Sequence, residues 1–531
     1  MKKIKATPLA LLAALALSYS ANAQTSTTYI TKKSVLTENE LKRWSHLDLV
    51  KDSIPGMSVD KAYAELIKDK KGATVIVGVV DSGVDIDHED LKSVIWTNKK
   101  EIAGNGIDDD KNGYIDDIHG WNFLGNAEKE ALEMTRILKK GDENSEAYKA
   151  AKIMYDEKYK EALGGKKQVD FIIATNESIQ KHLNKENYTL EDLNAIVTTD
   201  AALNKSKMIM TQIIGQAGPN FNKEINEYKT HVYDQLNYNL NLEFDGRKVV
   251  GDNPEDINDK KYGNNVVYGP DKKGALHGTH VAGIIAQGRY NELGGDGISK
   301  NTQIMVVRAV PDGDEYDKDI ALGIRYAVDN GAKVINASFG KSFSPHKQWV
   351  FDAIKYAESK DVLIIHAAGN DSEDIDVASN FPNDSNDNKT EFANNVITVG
   401  ALNFENGAKL AAEFSNYGKF NVDVFAPGVK IYATTPNNEY QYLQGTSMAS
   451  PNVAGVAAMI RSYYPKLSAA QVKKIIMESG TTISYDVVVG GNPEDVRNFE
   501  ALSKTGKIVN AYNALQMAEQ MSKKGNKKIK G

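Results

Sequence analysis

Two serines stand within four residues of each other in GTSMASP (445–451), just before a run of small and apolar residues. A serine hydroxyl is a poor nucleophile unless a base takes its proton. Two upstream residues have settings that suit the task. Asp81 ends an apolar, β-branched run, TVIVGVV (74–80). His277 opens HGTHVAGIIA (277–286), where Gly278, Ala282 and Gly283 suit a helix packed closely on a neighbour. An imidazole that accepts the serine proton, oriented by a carboxylate, makes a nucleophilic set. Ser447 stands just ahead of ASPNVAGVAAMI, whose Pro451 is tolerated in a helix's first turn. A helix start also offers free backbone N–H groups that stabilise developing negative charge.

Each of these residues has an ordinary structural alternative. An aspartate after a strand can cap a helix. His280 lies three residues from His277, but without an H-E-x-x-H pattern it reads as a packed helix residue rather than half of a metal site. Ser450 reads as a helix-cap or packing residue. Asn370, in AAGN (367–370), could hold a left-handed turn, and His366 reads as facing the core at a strand end.

The elements that must hold these groups are legible as unbroken apolar runs. Besides 74–80 they are TQIMVVRAV (302–310), AKVINASFG (332–340), DVLIIHAAGN (361–370), NNVITVGAL (394–402) and VDVFAPG (422–428). Runs without alternation fit strands buried on both faces of a parallel sheet, and helical patterns at 319–331 and 346–360 lie between them. The expected fold is therefore α/β with a mostly parallel central sheet in three layers. Catalytic groups in such sheets gather at the carboxyl ends of strands. From 126 to 241 the rhythm breaks. The segments at 145–163 and 189–215 read as helices, the second opening with Thr189 and Asp192 spaced as a capping box; only VDFIIA (169–174) interrupts as a brief strand-like run.

The blocks VVDSGVDIDHEDL, HGTHVAGIIA and GTSMASPNVAGVAA, in that order, closely resemble the three active-site blocks of subtilisin-like serine proteases, the subtilases. The resemblance covers roughly 72–125 and 245–515. It implies Asp81 as orienting acid, His277 as general base and then acid, Ser447 as nucleophile and Asn370 as oxyanion donor. It also implies that an extended polypeptide substrate adds to strand edges at Ala337, Ser338, Phe339 and Gly340 and at a loop from Gly313 to Tyr316. Asp312, Asp314 and Glu315 near that loop read as a solvated acidic surface rather than a pocket for basic side chains. The implied activity is a serine endopeptidase that forms an acyl-enzyme. The rival readings are a non-catalytic subtilase-like binding protein, against which the intact Asp81, His277, Ser447 and Asn370 argue, and a narrow peptide or ester hydrolase gated by the helical insertion.

A separate signal points to calcium. In NGIDDDKNGYIDDIHGW (105–121), Asp108, Asp110, Asn112, Gly113 and Asp116 follow the first nine positions of an EF-hand-type loop, with Tyr114 placed to offer a backbone carbonyl. The twelfth position is His119, so Asp117 or a distant residue must replace the usual glutamate. Subtilases commonly fix surface loops with calcium, and Asp90 with Asn291 loosely match a family site.

The chain of 531 residues has a formal net charge of −7 and no cysteine. The charge gives no general attraction to nucleic acid. The missing cysteines remove thiol catalysis, thiolate-bound zinc and disulfide bracing together. Lys2, Lys3 and Lys5, the apolar stretch Leu9 to Leu17 and Ala21-Asn22-Ala23 read as a signal segment cleaved near Ala23, too short to span a bilayer. The mature chain is expected outside the cytoplasm, secreted or periplasmic, without stable membrane insertion. The oligomeric state is not legible. The resulting layout is a signal segment 1–23, an N-terminal extension 24–70, a subtilisin-like domain 71–125 and 242–515, a helical insertion 126–241 and a basic, frayed tail 516–531. The extension looks short for a folding-assisting pro-domain, so maturation is expected to stop at signal removal with at most a trimmed N-terminus.

Overall fold

The computed structural model describes residue 32 and residues 34–218 and 221–529. The expected signal segment therefore lies outside the described residues. Two compact units emerge. One comprises residues up to Glu133 together with Gly246 onward, and the other spans Met134–Asp245.

In the first unit the strands in chain order are β1 (Val75–Asp81), β2 (Gly120–Asn122), β3 (Thr302–Arg308), β4 (Val334–Ala337), β5 (Leu363–Ala367), β6 (Val396–Leu402), β7 (Val424–Pro427), β8 (Ile431–Thr435), β9 (Glu439–Leu443), β10 (Thr481–Thr482), β11 (Asp486–Val489), β12 (Asn492–Asn498) and β13 (Lys507–Ile508). The six apolar runs of the sequence become β1 and β3 to β7. Nine strands form one sheet in the order β10-β13-β7-β6-β5-β4-β1-β3-β2. Its pairs are parallel except β10 with β13, while β8-β9 and β11-β12 are separate antiparallel pairs.

β1 lies between β3 on one side and β4 on the other. The chain thus reverses its direction of winding at β1, which opens a crevice at the carboxyl end of that strand. Alternate β1 residues feed opposite faces. Val77 and Val79 join the cluster that holds Met448, Val453 and Val456 of the helix Thr446–Tyr463. Val80 joins the cluster under the helices Asp317–Asp329 and Lys347–Ser359. Both faces are covered, which is why the strands lack alternation.

The N-terminal segment is more than an extension. Trp44, Ile54, Met57, Val59, Ala62 and Ile67 are buried in the same cluster as β1, and Trp44 Nε1 donates to the Val429 carbonyl at 3.0 Å. Arg43 pairs with Asp60 at 2.9 Å and also with Asp296. At the other end, the helix Ala511–Ile529 continues through most of the segment read as a frayed tail, with Ala514, Leu515 and Ala518 buried.

The second unit is helical. Its longest helix, Glu146–Leu183, has 38 residues and is capped by Ser145. VDFIIA lies inside it. Val169, Ile172 and Ile179 are buried at three- and seven-residue steps, so helical spacing overrides the local strand-like composition. The Thr189–Asp192 capping box is present, opening the short helix Leu190–Ala195; Asp200 caps the next helix, Ala201–Ala217. Residues 126–133, assigned by the sequence to the insertion, belong to the α/β unit. Among the described residues no helix is long and apolar enough to cross a membrane.

Candidate active site

Asp81 is the last residue of β1, paired in register with Arg308. Its Oδ1 accepts the Ser82 N–H at 2.7 Å and meets His277 Nδ1 at 2.7 Å. His277 is the second residue of the buried helix Leu276–Ala286. That helix can reach β1 because Gly278 has no side chain: a Cβ there would sit 2.1 Å from the Gly83 carbonyl oxygen and 3.2 Å from Asp81 Cβ. With Nδ1 held by the carboxylate, the imidazole keeps Nε2 for the proton transfer.

Ser447 is the second residue of the helix Thr446–Tyr463, which packs on the histidine helix. Its Oγ donates to the Ser338 carbonyl at 3.1 Å. Asn370 Oδ1 accepts both the Thr446 N–H at 2.8 Å and the Thr446 hydroxyl at 3.0 Å. This engages the acceptor end of the amide and turns its Nδ2 donor elsewhere. Gly445, whose φ is +150°, lies against both: a Cβ built there would be 3.5 Å from Ser447 N and 3.6 and 3.7 Å from the Asn370 amide nitrogen and oxygen. The Ser447 main-chain nitrogen and the Asn370 amide thus lie close around the position a side chain at 445 would take. Such a pair suits an oxygen that gains negative charge.

The sequence did not reveal the network beneath Ser447. Ser338 Oγ donates to the Ser447 carbonyl at 2.9 Å and lies 2.8 Å from Ser450 Oγ. Ser450 Oγ donates to Asn336 Oδ1 at 3.0 Å, and Asn336 Nδ2 donates to Ser338 Oγ at 2.8 Å. These buried groups satisfy one another and tie β4 to the nucleophile helix. The available signal was a polar Asn-Ala-Ser ending an otherwise apolar run. The two spare histidines are structural. His280 Nε2 lies 3.1 Å from the carbonyls of Ile431 and Gln441, and burial pushes its pKa down to about 3. His366 Nε2 lies 2.9 Å from the Phe339 carbonyl, and burial pushes its pKa down to about 4. Each is neutral at pH 7 and donates to the carbonyls it faces. His366 thereby supports the Ala337–Gly340 stretch from below.

The second expected substrate edge is differently made. The Asp312 N–H donates to the Glu128 carbonyl at 2.8 Å, and the Asp312 carbonyl accepts the Glu130 N–H at 2.9 Å. A Cβ at Gly313 would meet the Glu130 carbonyl oxygen at 2.1 Å. The acidic residues are not a solvated surface either. Lys129 Nζ meets Asp312 Oδ2 at 2.7 Å, Asp314 Oδ2 accepts the Glu133 N–H at 2.8 Å, and Glu315 is buried.

The calcium-type loop keeps its turns but not the expected donor set. Asp108 accepts the N–H groups of Asn112 at 3.0 Å and Gly113 at 2.8 Å. Asp116 points away: its two oxygens accept the N–H groups of Gly104, Asn105 and Gly106. Asn112 Oδ1 accepts the Tyr114 N–H at 2.8 Å, and Asn112 Nδ2 donates to Asp117 at 3.0 Å. The Tyr114 ring packs among Trp121, Phe123 and Tyr326. The carboxylates that converge are Asp110, Asp117 and Glu101, each offering one oxygen within 4.8 Å of the others. Glu101 was missed because it lies upstream of the motif. Burial raises the Asp117 pKa to about 6, and a hard cation would offset that cost. Asp90 and Asn291 do meet, at 2.6 Å; Asp90 Oδ2 is buried without a hydrogen-bond partner, and burial raises this acid to about 6.

The comparisons with known proteins identify the family. The subtilase family, peptidase S8, matches residues 72–499. A thermophilic serine proteinase of Bacillus sp. (strain AK1) is 44% identical over 191 residues, 35% of this chain and 42% of its own length. The cell wall-associated protease of Bacillus subtilis (strain 168) is 39% identical over 219 residues, 41% of this chain and 22% of its own length. Subtilisin DY of Bacillus licheniformis is 36% identical over 218 residues, 40% of this chain and 73% of its own length. The chain thus spans less than half the length of the first two. Asp81, His277, Asn370 and Ser447 all fall inside the matched region, and the chain belongs to the subtilase family.

Proposed function

We propose that this chain is an extracytoplasmic serine endopeptidase that cleaves polypeptides through an acyl-enzyme, with calcium bracing its loops. The observation that carries this reading is the 2.7 Å contact between Asp81 and His277 at the end of β1, with Asn370 Oδ1 holding Thr446, the residue before Ser447, at 2.8 Å. The Ser447 hydroxyl swings from the Ser338 carbonyl to His277 Nε2, gives up its proton there and attacks the scissile carbonyl carbon. The Asp81 carboxylate stabilises the imidazolium that results. The carbonyl oxygen, now negative, accepts from Asn370 Nδ2 and the Ser447 N–H. Collapse expels the amine, which takes the proton from His277. A water then repeats the sequence on the acyl-serine, with His277 again as base, so activity is lost when His277 is protonated.

Calcium has no step in this reaction. Glu101, Asp110 and Asp117 supply an oxygen donor set of the kind calcium takes, whereas Asn291 presents its Nδ2 donor to Asp90 and would have to turn for that pair to ligate. Bound there, calcium would brace the 101–117 loop.

The test is hydrolysis of a peptide by wild type, His277→Ala and Ser447→Ala. Loss of about 10⁴-fold or more in kcat for both variants is expected. Wild-type rates in either variant would overturn the assignment.

A further inference from the structure

Arg308 ends β3 and is buried beside Asp81, its partner in register on β1. Burial lowers its pKa to about 10, so the guanidinium is charged at neutral pH. Its hydrogen-bond partners are nevertheless all uncharged. Nε donates to the Ser82 carbonyl at 3.1 Å, Nη1 to Asn122 Oδ1 at 3.0 Å and the Gly125 carbonyl at 3.2 Å, and Nη2 to the Ala127 carbonyl at 2.7 Å. Two glycines let the main chain close around the side chain. A Cβ at Gly269 would lie 2.7 Å from Arg308 Nε, and one at Gly83 would lie 3.2 Å from its Cδ.

Ser82 joins this cation to both halves of the Asp81–His277 pair. The β1–β3 register ends at Asp81 and Arg308, and the Ser82 carbonyl beyond it takes a guanidinium N–H. The Ser82 N–H donates at 2.7 Å to Asp81 Oδ1, the same oxygen that meets His277 Nδ1. The Ser82 Oγ accepts the N–H of Gly278, the residue after His277, at 3.3 Å. One residue thus touches the carboxylate, the start of the histidine helix and the buried cation. A charge buried against neutral carbonyls contributes little net stability, and an apolar side chain would fill the same space without the desolvation. What the planar fork supplies is direction: its donors reach four acceptors at fixed angles and so fix where the turn after β1 lies.

We infer that Arg308 is a positioning residue of the reaction: through Ser82 it holds the Asp81 carboxylate and the start of the histidine helix in the relation that proton transfer needs. This rests on the protease reading above. Proton transfer is sensitive to geometry, and a misplacement on the order of 1 Å can lower turnover about 10²-fold. The proposed substrate edge, Ala337–Gly340, continues β4, which lies on the other side of β1 from β3. Loss of Arg308 should therefore appear in the chemical step and leave substrate binding in place.

The experiment measures kcat and KM separately on one peptide for wild type, Arg308→Met and Arg308→Lys, with circular dichroism as a check on folding. Arg308→Met keeps the length of the side chain and removes its charge and donors; kcat should fall by about 10- to 100-fold with KM within about 2-fold of wild type. Arg308→Lys, which keeps the charge and three donors, should bring kcat back to within about 5-fold of wild type. A folded Arg308→Met with kcat within about 2-fold of wild type overturns the inference. So does a loss carried by KM, and so does an Arg308→Lys no faster than Arg308→Met. Should Arg308→Met not fold, Ser82→Ala decides, because it removes only the hydroxyl that accepts the Gly278 N–H. A kcat lower by about 2- to 12-fold at unchanged KM supports the relay through Ser82, and an unaltered kcat overturns it. Absence of cleavage by wild type, together with no serine-directed phosphonate label, would instead remove the protease reading beneath it.

Discussion

The α/β unit and the helical unit use buried residues for different ends. In the first, each residue proposed to react stands at the end of an element fixed from several sides. Asp81 is flanked by β3 and β4, and Ser447 rests on the Ser338–Ser450–Asn336 network. In the second, a small core around Val169, Ile172, Met210 and Phe221 holds the helices, while Ile153, Phe171, Val197 and Met208 are exposed. Rigid, buried ends fix where a polar atom points, so residue type there carries chemistry. An amphipathic pattern fixes only that a helix forms and which side it buries.

The comparison yields four predictions, in falling order of effect. Asn370→Ala should lower kcat by about 10²–10³ with KM little changed, a range established on a subtilisin; an equal loss through KM would mean that the amide binds substrate rather than the oxyanion. In the helical unit, Ile172→Ala should cost about 2–4 kcal/mol of stability by cavity formation, while cleavage of the shortest peptides stays within about 2-fold. A matching loss of kcat on those peptides would break the division of labour between the two units.

Calcium added to chelator-treated protein should stabilise it by about 2.7 kcal/mol at a hundredfold excess over Kd. Asp110→Asn should remove much of that increment, and an unaltered increment would remove Asp110 from the donor set. The smallest effect concerns His280. Its pKa falls from 6.5 unfolded to about 3 folded, so between those values the unfolded chain binds the extra proton and stability rises with pH. Urea unfolding from pH 4.5 to 6 should show a slope lower in His280→Gln than in wild type by about 1.4 kcal/mol per pH unit. Parallel curves would mean that His280 is not the neutral donor to Ile431 and Gln441.

Much of the α/β unit was legible because its signals are local. Each of β1 and β3 to β7 is a single apolar run, and each active-site block is contiguous. What stayed hidden depends on distant partners. Trp44, Ile54 and Met57 are scattered singly through a polar segment, and only the assembled core shows that they belong to it. Glu101 joins Asp110 and Asp117 from outside the motif, while Asp116, which the motif includes, is drawn away by the turn at 104–106. The 128–133 segment is charged and brief, so it read as the start of the insertion. Its anchors, Arg308 and Lys341, both lie far along the chain. VDFIIA was misread because its composition favours a strand while its neighbours extend a helix through it.

The central claim is that Ser447, and not Ser450, is the activated nucleophile. Treating the protein with a serine-directed phosphonate and mapping the adduct by peptide mass spectrometry tests it directly. The account predicts one adduct on Ser447, present in wild type and in Ser450→Ala and absent from Ser447→Ala. An adduct that persists in Ser447→Ala, or an unlabelled wild type in the presence of calcium, would contradict it.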